Sequence, residues 1–290
     1  MKLGSVMDLA TRDVKTIPPR STIMNALKTM VKCGFRRMPV ADAGTKKIMG
    51  IVSSTDIIDF LGGGKKHKIV ENRHDGNLAK AINDSIDEIM TKDVVCVKYT
   101  DSWQDAVELM FEKNVGGCPV IDNEGRVFGI VTERDIVRFL ANQRRLSFEG
   151  VIRDYMTTRV VTISPETTIG EAMEIMISRR IRRLPIVKNG ILYGLLVSTD
   201  FLRYFAKDAF KMLETGNIKD VLNKNIHEIV SNSGVIKYRE PLVFESRDKI
   251  SKVVSGMVEK GVGCALIVEN GKLEGIITER DLMKFLYSNI

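Results

Sequence analysis

The segment Gly129-Ile-Val-Thr-Glu-Arg-Asp135 recurs in three related forms along this chain of 290 residues. The related forms are Gly50-Ile-Val-Ser-Ser-Thr-Asp56, Gly194-Leu-Leu-Val-Ser-Thr-Asp200 and Gly275-Ile-Ile-Thr-Glu-Arg-Asp281. Upstream of each lies a second shared stretch, at Phe35-Arg-Arg-Met-Pro39-Val, Val115-Gly-Gly-Cys-Pro119-Val, Ile181-Arg-Arg-Leu-Pro185-Ile and Val262-Gly-Cys-Ala-Leu266-Ile. Self-similarity at a fixed period is the signature of a repeat architecture. The chain therefore consists of four repeats.

The four repeats alternate between two types. The first and third carry an Arg-Arg pair, Arg36–Arg37 and Arg182–Arg183, together with Ser-Thr-Asp. The second and fourth carry small residues in place of the arginines, together with Thr-Glu-Arg-Asp. Because like repeats lie about half a chain length apart, the sequence predicts a duplicated pair.

Within a repeat, the hydrophobic pattern predicts the order strand, helix, strand, strand, helix, and therefore an α+β fold. In the second repeat the predicted elements are strands at 94–97, 118–122 and 126–131 and helices at 101–113 and 133–140. The first of these helices has apolar residues at the i, i+3, i+4 spacing of a buried helix face. A unit of about 55 residues has too small a core to be stable alone, so neighbouring repeats are expected to pair.

The repeats are predicted at residues 1–61, 86–140, 152–205 and 226–290, with linkers at 62–85, 141–151 and 206–225. The first linker opens with three glycines and two lysines, Gly62 to Lys66, but the Gly-x-x-x-x-Gly-Lys-Ser/Thr pattern of a phosphate-binding loop is absent. We therefore predict a flexible link. An additional stretch, 231–241, precedes the strand of the fourth repeat at Val243.

The composition is that of a soluble folded protein, with 44% hydrophobic and 28% charged residues. Apolar runs fall short of the roughly 20 residues that cross a bilayer, and the amino terminus has no apolar core of a secretory signal. A cytoplasmic protein without membrane contact is expected. The four cysteines stand singly without a histidine partner, which predicts no metal site. The net charge of +7 favours anionic partners.

The repeated Gly-h-h-Ser/Thr-x-x-Asp motif, where h is an apolar residue, follows a strand with a central proline. In this respect each repeat resembles the CBS domain. Tandem CBS domains pair into Bateman modules, so the chain from about Val6 to Leu286 is similar to two such modules. The likeness extends to archaeal four-CBS proteins that are similar to the gamma subunit of AMP-activated protein kinase. It implies a flat disk of two facing modules, within one chain or between two, with adenine nucleotides in clefts between paired domains and no catalytic domain.

The resemblance also implies roles for individual residues. By this resemblance, the motif hydroxyls and aspartates contact the ribose and phosphates of the nucleotide. These residues are Ser53, Asp56, Thr132, Asp135, Asp200, Thr278 and Asp281. The residues implied to line the pocket for the adenine base are Phe35, Met38, Pro39, Val115, Gly116, Cys118, Pro119, Ile181, Leu184, Pro185 and Val262. The residues implied to bind the phosphates are Arg36, Arg37, Arg182 and Arg183.

The residues themselves leave two interpretations of the motif open. A Ser or Thr three residues before Asp at a helix start also forms a capping box, which explains Ser53, Thr132 and Thr278 without a ligand. Arg134 and Arg280, however, fall in the first helical turn, where the macrodipole disfavours a cation. A bound phosphate would reverse that penalty, so we assign both arginines to nucleotide binding. The Arg-Arg pairs would likewise meet near the module interface, which is costly unless anions bind there.

The four sites are not equivalent. Val197 replaces the hydroxyl residue in the third repeat, although Ser198 could cap the helix one residue later, and Leu266 replaces the proline in the fourth. We expect weak or absent binding in the third site and two or three occupied sites in total.

The preferred function is a non-enzymatic regulatory protein that binds AMP, ADP or ATP, senses the energy state and acts on an unidentified protein, with a homodimer as one assembly. Two alternatives stay open. A CBS module for S-adenosylmethionine or a related adenosine would lack the phosphates that suit the arginines. A nucleic-acid-binding protein ranks third, because 6% aromatic residues offer few stacking platforms. Catalysis is not expected, since the three histidines lie in or near linkers without a nucleophile or metal cluster.

Overall fold

The computed structural model describes residues 4–142, 150–209, 217–233 and 241–288. Strands β1 to β10 span Arg37–Ala41, Ile48–Ser53, Val97–Lys98, Gly117–Ile121, Val127–Thr132, Arg183–Lys188, Ile191–Val197, Val243–Phe244, Cys264–Glu269 and Lys272–Thr278. Helices α1 to α12 span Ile23–Cys33, Ser54–Ile58, Lys68–His74, Leu78–Ala81, Trp103–Glu112, Glu133–Asn142, Ile169–Ser178, Ser198–Tyr204, Ile218–Leu222, Ile226–Ser233, Ile250–Glu259 and Glu279–Tyr287.

Each repeat follows the predicted α+β order, with a first strand shorter than predicted. In the second repeat that strand is β3, only two residues long, and it pairs in parallel with β4. In the first and third repeats it is reduced to single parallel bridges, from Ile17 to Val40 and from Ile163 to Ile186. The predicted helix at 101–113 is α5, whose apolar face is buried from Trp103 to Met110, whereas Phe111, predicted on the same face, is exposed.

Neighbouring repeats pair into two modules. In the second module, β6, β7, β10, β9 and β8 form one sheet, because Lys272 of the fourth repeat bridges Ile191 of the third. In the first module, β1–β2 and β3–β4–β5 form separate sheets that are connected by isolated bridges. These bridges join Lys47 to Arg126, Ile51 to Thr91 and Thr11 to Ile130. Each module therefore joins two successive repeats, as the size of one repeat predicts.

Two large hydrophobic cores extend across both modules. One buries residues of the first and third repeats, including Phe60 and Phe201, and the other buries residues of the second and fourth, including Trp103 and Leu282. Full burial of a large apolar side chain stabilises the folded state by about 1.5–3 kcal/mol. Module pairing is therefore part of the folding of a single chain, and the modules face each other as the resemblance implies.

The linker after the first repeat is ordered, so the prediction of a flexible link is wrong. It continues α2 as a π-helical turn at Asp59–Gly63, then a 3-10 turn at Lys65–His67, then α3 and α4. Its first glycine permits a close approach rather than flexibility. Gly62 has φ of +144°, and a Cβ there would lie 2.8 Å from Cδ1 of Leu222. The glycine thus lets the linker pack against the end of α9, on the side of the second module.

Parts of the other predicted linkers and of the stretch 231–241 fall on residues 143–149, 210–216 and 234–240, which lie outside the described residues. Among the helices that are described, none combines the length and the apolar character needed to cross a bilayer. Within the same ranges, no group of three or more His, Cys, Asp or Glu side chains is placed to hold a metal ion.

Candidate functional site

The motif hydroxyls and aspartates form capping boxes at helix starts, as the local interpretation predicts. In the second repeat, Oδ2 of Asp135 accepts hydrogen bonds from the backbone N–H (2.9 Å) and the hydroxyl (2.5 Å) of Thr132. The pairs Ser53–Asp56 and Thr278–Asp281 have the same geometry. Because the cap engages Oδ2, capping is compatible with ligand binding through Oδ1.

The helix of the third repeat begins without a side-chain cap. Oδ2 of Asp200 accepts from the backbone N–H of Val197 at 2.9 Å, but Val197 has no hydroxyl to return the bond. The prediction that Ser198 caps this helix is wrong. Ser198 is already the first helical residue, and its buried hydroxyl lies 3.1 Å from that of Ser54, where α2 packs against α8.

Among the described residues, a protein group engages Oδ1 of the motif aspartate in the first, third and fourth repeats. The partners are the ammonium of Lys66 for Asp56, Nη1 of Arg203 at 2.8 Å for Asp200, and the hydroxyl of Thr157 at 3.3 Å for Asp281. Lys66 is held in place because it also donates to the carbonyl oxygen of Ile89 at 2.6 Å. A ribose hydroxyl that binds one of these carboxylates must share Oδ1 with the protein donor or displace it.

The carboxylate of Asp135 lines a cavity of about 180 Å³ between the first and second repeats. Its wall includes Thr11, whose backbone exchanges hydrogen bonds of 2.9 and 3.0 Å with Ile130. Burial raises the pKa of Asp135, although the bonds from Thr132 oppose the rise. The predicted residues Phe35, Arg36, Arg37, Gly116, Thr132 and Arg134 line the same cavity. The fold thus gathers an aromatic ring, several guanidinium groups and four acidic residues, Asp135 among them, around one space.

Two further cavities contain other predicted residues. One, of about 350 Å³, surrounds Ser53 and Asp56 and includes Val115 and the arginines at 36, 37, 182 and 280. The other, of about 200 Å³, lies in the second module beside Val262 and the pair Arg182–Arg183. Arg36 lines all three cavities, so they converge on the module interface.

Seven residues predicted for the base pocket line none of these three cavities, and that part of the prediction is corrected. They are Met38, Pro39, Cys118, Pro119, Ile181, Leu184 and Pro185. Met38, Cys118 and Leu184 have no exposed surface. The physical reason is that β1, β4 and β6 are buried on both faces, so their central side chains pack in the cores. The cavities are reached at the amino ends of these strands and of β9, as at Arg37 and Arg183.

Two buried carboxylates that the sequence analysis missed, Glu133 and Glu279, pair with the predicted phosphate-binding arginines. Glu279, whose side chain is 4% exposed, accepts from both Nη atoms of Arg36 at 3.0 and 3.2 Å. It also accepts from Nε of Arg134 at 2.8 Å and from Nη2 of Arg183 at 3.2 Å. The sequence feature that could have indicated these carboxylates is the glutamate between Thr and Arg in the Thr-Glu-Arg-Asp motif of the second and fourth repeats.

Glu133 has the equivalent role in the first module. It accepts from Nε of Arg280 at 2.8 Å and from Nη2 of Arg182 at 3.3 Å, while Arg37 donates to the carbonyl oxygen of Gly116. The ion pairs cross the module interface, since Glu133 binds arginines of the second module. A protein carboxylate therefore already offsets the dipole penalty at Arg280, and the same holds for Arg134, so the position of these arginines does not by itself require a phosphate.

The interface between the modules carries an excess of positive charge. Six guanidinium groups face two carboxylates there. Burial, with the neighbouring Arg37, lowers the pKa of Arg182 to about 9. Burial alone would raise the pKa of Glu279, but the guanidinium groups around it, that of Arg36 foremost, hold this pKa far below its usual range. An excess of buried cations favours the binding of anions.

The family model described as the CBS domain matches residues 6–63, 86–142, 152–207 and 233–288. The chain therefore belongs to the CBS-domain family, as a protein with four CBS domains in two Bateman modules. This agrees with the four repeats and with the pairing of neighbours described above.

Two relatives match most or nearly all of this chain. The protein MJ1225 of Methanocaldococcus jannaschii is 35% identical over 283 residues, which are 97% of this chain and 98% of that protein. Its crystal structure, described as that of a candidate archaeal homologue of gamma-AMPK, matches with a TM-score of 0.90 and 34% identity over 98% of this chain and 100% of that chain. A 33.4 kDa protein of Thermofilum pendens is 32% identical over 269 residues, 92% of this chain and 86% of that protein.

Proposed function

We propose that this protein is a non-enzymatic regulatory protein that binds an adenine nucleotide (AMP, ADP or ATP) and transmits its occupancy to a protein partner. The observation that carries the proposal is the cavity of about 180 Å³ around Asp135, in which a carboxylate, a helix start and guanidinium groups face one space. Membership of the CBS-domain family and the likeness to a candidate gamma-AMPK homologue support it.

In this proposal, Asp135 accepts the ribose hydroxyls, Phe35 contacts the base, and Arg36 and Arg134 bind phosphate. A carboxylate can accept two hydroxyl donors, and a guanidinium fork binds phosphate oxygens in pairs. A sensor with micromolar to millimolar affinity needs roughly 4–8 kcal/mol of binding free energy. A few hydrogen bonds to charged groups, each contributing about 1.5–3 kcal/mol, are sufficient for this.

The sites are expected to fill in order, with the Asp135 site first. At Asp56, Asp200 and Asp281 a nucleotide must share Oδ1 with a protein donor or displace that donor, which weakens binding there. The Asp200 site should be the weakest, because Val197 offers no hydroxyl and the competing Arg203 forms an ion pair. Purified protein should therefore retain nucleotide mainly between the first and second repeats.

Isothermal titration with AMP, ADP and ATP tests the proposal. Asp135→Ala should abolish the tightest binding step. The matched control is Asp105→Ala, which removes the same kind of capping box, with bonds of 2.8 and 2.7 Å to Ser102, from an exposed helix start. Equal nucleotide affinity in the two variants would refute the role of Asp135. Asp281→Ala should affect only a weaker step.

Competition and binding experiments also test whether the protein binds a different ligand. S-adenosylmethionine also offers a ribose to Asp135, but its sulfonium would face Arg36 and Arg134. If it displaces ATP in a thermal-shift competition, the nucleotide proposal gives way to an adenosine-binding module. Filter binding to RNA with a steep salt dependence would favour nucleic acid instead. Light scattering tests the homodimer, and affinity capture with and without ATP tests the regulated partner.

A further inference from the structure

Glu279 belongs to the second module, but its carboxylate lines the Asp135 cavity of the first. It begins helix α12, and its backbone N–H donates to the carbonyl oxygen of Gly263 at 3.1 Å. A side chain at position 263 would collide with this arrangement, because a Cβ there would lie 2.7 Å from Oε2 of Glu279. The carboxylate therefore has a fixed place at the wall of a cavity formed by other repeats.

Both oxygens of Glu279 are in use. Oε1 accepts from Arg36 and Arg134, and Oε2 accepts from Arg36 and Arg183. Arg36 thus presents its two-pronged fork to a carboxylate in the same way that it would to a phosphate. Because Arg36 and Arg134 also line the Asp135 cavity, a phosphate bound there must share these groups with Glu279 or displace it.

This competition depends on how many charges the ligand carries. AMP, ADP and ATP have about two, three and four negative charges near neutral pH. The negative charge of each added phosphate is repelled by the carboxylate of Glu279. This side chain is 4% exposed, so water screens the repulsion little. Glu133, another acidic residue on the wall, is held by Arg182 and Arg280 of the second module.

We propose that Glu279 is the residue that sets the preference of the Asp135 cavity among nucleoside mono-, di- and triphosphates, by competing with the added phosphates for Arg36 and Arg134. The inference rests on the proposed function, since it names the selectivity of the same site. In the native chain the carboxylate disfavours the more highly charged nucleotides. Its loss relaxes that selectivity toward the triphosphate.

The test is the ratio of ATP to AMP affinity, measured by isothermal titration, in Glu279→Gln. The amide keeps the shape and removes the charge, so ATP affinity relative to AMP should rise about tenfold, the size of one charge–charge interaction at a partly screened site. Glu279→Asp keeps the charge and should keep the native ratio. Glu166→Gln removes a charge from an exposed pair with Lys188 and should also leave the ratio unchanged.

Loss of Glu279 leaves three arginines without this counter-ion, so the single variant could fold poorly. The double variant Glu279→Gln/Arg183→Gln keeps the net charge constant and removes an arginine that is not on the wall of the Asp135 cavity. Relative ATP affinity should still rise, by less than in the single variant, because Arg36 and Arg134 are released while the lost charge of Arg183 offsets part of the gain. An unchanged ratio in a folded variant overturns the inference and leaves the proposed function standing.

Titrations with inorganic phosphate and tripolyphosphate distinguish a failure of the proposed nucleotide binding from a failure of the inference about Glu279. If the native protein binds no adenine nucleotide, the proposed function fails. The inference about charge is then decided by whether Glu279→Gln tightens tripolyphosphate more than phosphate. A rise in that ratio supports the role of Glu279, and equal changes for both anions overturn it.

Discussion

Lys66→Met should open a second binding site around Asp56. In the native protein the ammonium of Lys66 engages Oδ1 of Asp56 and donates to the carbonyl oxygen of Ile89 at 2.6 Å. The side chains of Lys66 and Asp56 are 27% and 14% exposed, so this is a mostly buried ion pair. Methionine keeps the apolar stem and removes the charge, which leaves Oδ1 of Asp56 for a ribose hydroxyl.

The size of the effect follows from the pair that is lost. A hydrogen-bonded ion pair at this depth contributes about 1–2 kcal/mol, after allowance for the solvent that still reaches Lys66. The ligand-free Lys66→Met variant should therefore have a lower free energy of unfolding and a Tm lower by a few degrees, at about 2 °C per kcal/mol. The same free energy no longer opposes binding, so AMP affinity at Asp56 should rise by about tenfold.

Isothermal titration with AMP measures the new site as an additional binding step, and the variant Lys66→Met/Asp56→Ala should lose that step. The matched control is Lys65→Met, because Lys65 is the adjacent lysine of the same turn and is exposed. A Lys66→Met variant with the stoichiometry and Tm of the control would refute the conclusion that Lys66 closes this site.

Three further predictions concern the module interface and its surroundings. Gly263→Ala should lower the free energy of unfolding in urea by about 1–3 kcal/mol, because the new methyl group would collide with Arg183 and Glu279; Gly44→Ala, where the nearest atom lies 3.6 Å away, should have no such effect. Acidification below about pH 5 should lower Tm, because the pKa of Glu279 is lower in the folded than in the unfolded chain and the unfolded chain takes up the proton first. The Tm of Glu279→Gln should fall less over the same pH range, and identical profiles of Tm against pH in the two proteins would contradict this. Burial raises the pKa of Cys118 to about 12, so iodoacetamide at pH 8 should label Cys118, as read by mass spectrometry, only after the protein is unfolded.

The parts of this protein that depend on local sequence could be predicted from it. The four repeats, their order of strands and helices and the pairing of neighbours follow from self-similarity, hydrophobic period and size. The capping boxes also follow, because Thr132 and Asp135 are three residues apart and a helix start brings such residues into contact. The positive charge of the site was evident from Arg36 and its equivalents, although the anions that meet it were not.

The tertiary structure decided which groups face each other. Arg36 and Glu279 are 243 positions apart, and the contact between Lys66 and Asp56 exists only because the linker folds back as a helical turn. A single sequence carries the charge of such residues but no information on their distance, since long-range contacts depend on how whole repeats pack. The same packing buried Met38 and its equivalents in the cores, because strands that the sequence makes apolar on both sides are covered on both faces once two modules meet.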